Sequence, residues 1–233
     1  MTVSPIEVTV GELVRAVPAR ARVFEKFRID YCCGGKIPLA EACRDRGLDP
    51  ATVLVMLEAL DEAAGAGAVD ADALSIAALC DHIETTHHGY LRQELPRLDF
   101  LTRKVAAVHG ADESRLLEVR EVFEGFSGEM VHHMHEEEQV VFPRLRAIES
   151  DEGAGVTPDE LRGIFVQLEA EHDGAGDALA RFRELTDGFT PPDWACNTFR
   201  ALYDSLGQLE SDMHQHVHKE NNVLFPRALA ALG

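Results

Sequence analysis

An all-α fold is predicted by three observations. No segment of the 233-residue chain alternates apolar and polar residues over strand length. Four stretches of roughly 30 residues keep the helical spacing of three and four, with short connections such as join antiparallel neighbours in a bundle. Two of these stretches carry matching motifs, HHMHEEEQVVFPRL from His132 and QHVHKENNVLFPRA from Gln215. His133 and His216, Glu137 and Glu220, and Pro143 and Pro226 are each 83 positions apart.

The first sixty-odd residues show short helix signals separated by Gly and Pro. Thr9 to Glu12 reads as a capping box, Pro18 can open a second helix, and Pro38 a third that stops at Gly47. Asp49 caps a fourth, with Pro50 at its first position and Gly65 at its end. These predict a small helical N-terminal domain over 1–65. AAGAGAVDADA (63–73) lacks bulky side chains and places a linker at 66–74. Residues 75–233 then hold the four-helix bundle. Its first helix runs from about Ser75 to His109, and its second from about Asp112 to Ile148. TPDE (157–160) caps the third, which ends near Gly188, and TPPDW precedes a fourth that begins near Asp193.

Composition narrows the function classes. Lys and Arg total 22 against 41 Asp and Glu, a formal charge of −19, which repels nucleic acid and anionic membrane surfaces. No run of about 18 apolar residues is present, and the N-terminal segment lacks a basic, apolar leader. A soluble cytoplasmic protein is expected. Five cysteines, two of them adjacent, do not form the pattern of a disulfide framework, so reduced thiols are expected.

The inward seam of each bundle helix can be read at spacings of three and four. The second seam is Leu116, Val119, Phe123, Phe126, Met130, His133, Glu137, Val140. The fourth is Phe199, Leu202, Leu206, Leu209, Met213, His216, Glu220, Val223. The first carries His88 ahead of Leu91, Leu95, Leu98 and Val105, and the third carries His172 among Leu161, Phe165, Leu168, Ala175, Leu179 and Phe182. Each seam therefore holds one histidine. Burying two nearby carboxylates costs several kcal/mol each unless they are protonated or share a cation. Imidazole with carboxylate favours a metal, and mixed nitrogen and oxygen donors suit iron. The repeat predicts pseudo-twofold symmetry, with two metals, each held by two histidines and bridged by Glu137 and Glu220.

His82, His87, His132, His135, His214 and His218 fall off the seams and read as solvated, as do the other charges of HHMHEEE. His109 lies on a face similar to that of His88, but 21 residues of helix span about 30 Å. It is therefore placed at a helix end beside Gly110, not at the metals.

With these residues in hand, the chain resembles the haemerythrin-like di-iron proteins, and more closely the iron–sulfur cluster repair di-iron family (RIC, or YtfE/ScdA). The resemblance rests on DYCCGGK (30–36), EHD (171–173) and the paired His-x-x-x-Glu segments ending in VVFPR and VLFPRA. It implies a haemerythrin-like bundle holding two non-haem irons, bridged by carboxylate and oxo groups. It also implies repair of iron–sulfur proteins after nitrosative or oxidative damage, and reactivity toward nitric oxide or oxygen. Two departures from oxygen-carrying haemerythrins stand out. Leu168 and Gly176 occupy the positions around His172 where a fifth histidine would lie, and His216-x-x-x-Glu220 replaces His-x-x-x-x-Asp. Fewer protein nitrogens leave open coordination positions, which favours chemistry or iron release. Ferritin-like proteins are disfavoured, since they use Glu-x-x-His.

Cys32 and Cys33 sit beside Gly34 and Gly35, where a turn could present a thiolate for redox or iron transfer. A buried structural pair is the other reading, and neighbouring cysteines do not clamp a metal as CxxC does. Cys43, Cys80 and Cys196 read as core thiols. Two functions follow. The first is iron–sulfur repair by iron donation, nitric oxide reduction, or both, with damaged iron–sulfur proteins as partners. The second is a haemerythrin-like module that binds or senses oxygen or nitric oxide without turnover. Oligomeric state and electron donor are left open.

Overall fold

In a computed structural model, the described residues are 4–63, 69–149 and 155–232, and among them every extended element is helical. The N-terminal helices are α1 (Val10–Ala16), α2 (Ala21–Phe27), α3 (Leu39–Asp45) and α4 (Pro50–Ala63). The Thr9 side chain accepts from the Glu12 N–H while Glu12 reaches back to Thr9, so the expected capping box is present. Pro18 opens a 3₁₀ turn (Pro18–Arg20) that runs into α2. Gly47 follows α3 in the left-handed region, φ 65°, where a side chain would be strained. Asp49 accepts from the Thr52 N–H at 3.1 Å ahead of α4, and the Gly65 stop lies outside the described residues.

Four long rods make the bundle, and three of them are interrupted. The first comprises α5 (Ile76–Ile83) and α6 (Gly89–His109), the second α7 (Arg115–Glu136) and α8 (Phe142–Ile148). The third is α9 (Pro158–Leu185), and the fourth comprises α10 (Asn197–Lys219) and α11 (Phe225–Leu232). Between the paired helices lie π-helical turns at Glu84–His88, Glu137–Val141 and Glu220–Leu224, closed by N–H donors of Gly89, Phe142 and Phe225 to carbonyls five residues back. The rods start a few residues later than expected for the second and fourth, at Arg115 and Asn197.

The inward residues fall into two apolar layers with the seam histidines and glutamates between them. One layer contains Leu91, Leu98, Phe123, Met130, Phe182, Leu206 and Met213, and the other Ile83, Phe142, Leu145, Leu161, Phe165, Leu224 and Phe225. Val140 was expected on the seam but is exposed, and Val141 is buried instead. The π turn adds one residue to the repeat and shifts the inward phase by one position. α1 to α4 enclose a third apolar cluster, around Phe24, Tyr31 and Leu39.

The N-terminal segment packs on the fourth rod. His218 donates through Nδ1 to the Tyr31 carbonyl at 3.2 Å, and Asn222 donates to the Cys32 carbonyl at 2.9 Å. Gly35 must lack a side chain, because a Cβ there would meet Asn222 Oδ1 at 2.4 Å and the Tyr31 carbonyl at 2.7 Å. The described part of the linker is also fastened. Asp70 caps a 3₁₀ turn over Ala71–Ala73, Asp72 pairs with Arg15 at 2.6 Å, and Arg227 donates to the Ala71 and Leu74 carbonyls. Among the described residues, no helix is long and apolar enough to cross a membrane.

Candidate metal centre

The six seam residues expected as ligands converge. His88, Glu137, His216 and Glu220 form one group, and His133, Glu137, His172 and Glu220 form the other, with donor atoms in each within 4.8 Å of one another. Both glutamates belong to both groups. Glu137 Oε2 lies 3.3 Å from His88 Nε2 and 3.3 Å from His133 Nε2. Glu220 divides its oxygens, Oε1 lying 2.9 Å from His216 Nε2 and Oε2 3.1 Å from His172 Nε2. Two pockets of two imidazoles, joined by two carboxylates, is the pseudo-twofold arrangement that the 83-residue offset implied.

Hydrogen bonds around the rim aim the imidazoles inward. His88 Nδ1 lies 2.6 Å from Glu138 Oε1, which also accepts from Arg92. His133 Nδ1 lies 2.7 Å from Glu171 Oε2, and His172 Nδ1 2.8 Å from Asn221 Oδ1. These acceptors place the proton on Nδ1 and leave the Nε2 lone pairs facing the interior. There the Nε2 atoms of His88 and His216 are 3.2 Å apart, and those of His172 and His133 3.1 Å. Lone pairs so close repel unless a cation or proton lies between them.

Burial sharpens the point. Glu137 and Glu220 are 0 % exposed, and Glu137 Oε1 and Oε2 and Glu220 Oε2 have no hydrogen-bond donor. Uncompensated, each such carboxylate costs several kcal/mol. Without metal, protons supply the missing charge. Burial opposes the charge of His172, but Glu220 and Glu137 outweigh it and push the imidazole up to about 9. His88 is raised against burial in the same way by Glu137 and Glu220. Burial dominates at His216 and takes it down to about 4. Glu220 is held well below the usual carboxylate range, since His216 and His172 overcome its burial. Four imidazole nitrogens and two buried carboxylates facing two common points fit a pair of divalent or trivalent first-row ions.

The rest of the sequence reading divides. His132 and His135 are exposed, and His82 and His214 half-buried. His87 and His218 are buried, contrary to expectation. The wide turn at Glu84–His88 brings two consecutive histidines inside. His87 stacks on His216 at 5.2 Å with 4° between the planes, its Nδ1 2.9 Å from Asp212 and its Nε2 accepting from Lys219 at 2.8 Å. Burial and Lys219 keep it neutral, its pKa pushed down to about 3. Glu138 likewise turns toward His88 instead of outward. Each π turn thus supplies one candidate ligand and a neighbour that packs on or orients a ligand: His88 with His87, Glu137 with Glu138, Glu220 with Asn221.

His109 ends α6, 3.3 Å from Cys196 Sγ and against Trp194 and Phe199, and joins neither group. Cys43 and Cys80 are buried as expected, whereas Cys196 is exposed, because it lies at the cap position before α10 and not on its inward face. Cys32 is buried against the bundle and Cys33 partly so.

Residues 6–61 match the ScdA_N family, described as a domain of unknown function (DUF542), and residues 81–228 match the hemerythrin HHE cation binding domain. The chain is 35% identical over 222 residues to the iron-sulfur cluster repair protein YtfE of Enterobacter sp. (strain 638), which covers 94% of this chain and 96% of that protein. It is 34% identical over 221 residues to the YtfE proteins of Yersinia pseudotuberculosis (serotype IB, strain PB1/+) and Yersinia pestis (strain Pestoides F), covering 95% of this chain and 96% of each.

Proposed function

The chain belongs to the YtfE/ScdA family of iron–sulfur cluster repair proteins, and from that premise we propose that it restores iron–sulfur proteins damaged by nitrosative or oxidative stress. The reading assigns two irons to His88, His133, Glu137, His172, His216 and Glu220. One observation carries it: two fully buried carboxylates are each shared between two pairs of inward-facing imidazoles. A bound iron pair supplies one-electron redox chemistry toward nitric oxide and a reserve of iron for a depleted cluster.

The chain's own residues determine how the site is used. Glu138, Glu171 and Asn221 hold three imidazoles in the metal-binding tautomer, and His87 backs the fourth. The apolar layers on either side exclude bulk water. Four histidines and two glutamates leave coordination positions without a protein donor, where a small ligand can bind. A damaged iron–sulfur protein is the partner that this reading requires.

A module that binds nitric oxide or oxygen without turnover is the second reading. The burial of all six residues favours it, since none is more than 2 % exposed, which suits a gas better than an ion in transit. Anaerobic reconstitution with isotopically enriched ferrous iron, followed by incubation with a cluster-depleted client, separates the two. Repair predicts about two irons per chain and enriched iron, or nitric oxide turnover, in step with client recovery. Stoichiometric nitric oxide binding without client recovery would favour the second reading, and one metal or none would remove both. His133→Ala or Glu220→Ala should abolish metal and repair together, and His135→Ala should leave both.

A further inference from the structure

The pair Cys32 and Cys33 lies against the bundle. Although neighbouring cysteines are poorly spaced for a chelate, this turn brings both sulfurs and an Asp30 carboxylate oxygen within 4.8 Å of one another. Asp30 is fixed for the purpose. Its Oδ1 accepts from the Cys32 N–H at 2.9 Å and the Cys32 thiol at 3.2 Å, and its Oδ2 accepts from the Gly34 N–H at 2.9 Å. The close Gly34 approach is part of that fit, because a Cβ there would stand 3.0 Å from Asp30 Oδ2.

A second observation concerns where this triad faces. Asp30, Cys32 and Cys33 line a cleft of about 920 Å³ between the N-terminal segment and α9 and α10. Seven acidic side chains and three arginines line it, so its field favours a cation. Its far wall includes Asp173, next to His172, and His214, two residues before His216. The cleft therefore reaches from the thiols to the outer surfaces of two helices that carry candidate ligands.

We propose that Asp30, Cys32 and Cys33 form a third metal site, which holds a ferrous ion as cargo in transit between the cleft and a client protein. The assignment of ferrous cargo rests on the repair reading, whereas the site itself rests on the three donors. Two thiolates and a carboxylate, completed by water, make a four-coordinate set acceptable to ferrous iron and to its spectroscopic substitutes cobalt and zinc. Binding transfers no electrons: the aquo ion loses water, two sulfur–metal bonds form, and the two thiol protons pass to solvent. In the absence of a cation, the hydrogen bond with Cys33, burial and Asp30 all keep the Cys32 thiol protonated. A divalent ion among the three donors reverses that balance.

Cobalt(II) titration tests this on full-length protein whose two bundle sites are already loaded with iron. The background is Cys196→Ser, which removes the exposed thiol. Expected is one further cobalt per chain, with a thiolate-to-cobalt charge-transfer band and an unchanged di-iron spectrum. Cys32→Ser with Cys33→Ser should abolish the band, and Asp30→Asn should weaken binding tenfold or more, with helix content and iron intact. No third equivalent, or a band that survives in the double cysteine variant, overturns the site. The titration never reads repair, so a third site in a protein that repairs nothing would sink the proposed function alone. A repairing protein without the third site would sink this inference alone.

Discussion

Asn221 and Asn222 are neighbours of the same kind, and replacing each by alanine should give opposite results. Asn221 Oδ1 is the acceptor for His172 Nδ1 at 2.8 Å, and both side chains are buried. Asn221→Ala leaves that N–H without its protein partner in a buried position and frees the ring to turn. An unsatisfied buried donor costs about 1–3 kcal/mol. Loss of an orienting partner behind a metal-bound histidine costs 10–100-fold in affinity, about 1.4–2.7 kcal/mol. The two routes agree in size, and they act first on the pocket of His172, which is the candidate ligand that the Asn221 side chain hydrogen-bonds. Asn222 instead donates to the Cys32 carbonyl at 2.9 Å, so Asn222→Ala should cost about 1 kcal/mol of stability and keep both irons. Anaerobic ferrous titration by calorimetry reads the outcome: Asn221→Ala should show one site at wild-type affinity and one weakened 10–100-fold. Two wild-type affinities, or equal losses in the two variants, would refute the assignment of Asn221 to His172.

Three further outcomes are expected. Gly35→Ala forces a Cβ onto Asn222 Oδ1 and the Tyr31 carbonyl, so thermal denaturation should show a loss of about 1–3 kcal/mol with the di-iron spectrum retained; unchanged stability would mean that the loop docks otherwise. The Asp212 carboxyl is pushed up to about 6, chiefly by burial, so the native state binds its proton more tightly than the unfolded chain, and charging it costs stability as pH rises toward 6. Metal-free Asp212→Asn should therefore be the more stable protein above pH 6, by on the order of 2 kcal/mol, and that advantage should fade toward pH 4. Cys196 is exposed, and its thiol is lowered by the Phe199 N–H and by His109, so iodoacetamide should label it first among the five cysteines, and His109→Ala should slow the reaction; prior labelling of Cys43 would contradict this.

The seams were legible because two independent patterns agreed. Apolar spacing fixed which face of each rod turns inward, and the 83-residue repeat put His133 with Glu137 and His216 with Glu220 on those faces. Three misreadings trace to the π turns, which a strict spacing of three and four cannot represent, whereas His218 is buried by the docked cysteine loop and Cys196 is exposed at a helix cap. Val140 was placed inside where Val141 belongs, and His87 and Glu138 were placed outside. A sequence signal did exist for two of the three turns. Pro143 and Pro226 each lie six residues after a candidate bridging glutamate. Proline lacks an N–H and crowds the carbonyl four residues back, so a helix meeting it must open in the preceding turn. At Glu84–His88 no proline follows closely, and only the doublet His87-His88 hints that consecutive residues face inward. The contacts of His218 and Asn222 with the cysteine loop depend on how separate stretches pack, which no local pattern encodes.

The turn at Glu220–Leu224 shows why this geometry matters for function. Three consecutive residues reach three parts of the molecule: Glu220 the two imidazole pockets, Asn221 the back of His172, and Asn222 the carbonyl of Cys32. In a regular α-helix, consecutive side chains diverge by about 100°, whereas here Glu220 and Asn221 are both buried and Asn222 is half-buried against the cysteine loop. The wider turn makes the arrangement possible, and it ties the cysteine loop to the candidate metal centre through a single backbone segment. Asn222→Ala cuts that link without touching a candidate ligand.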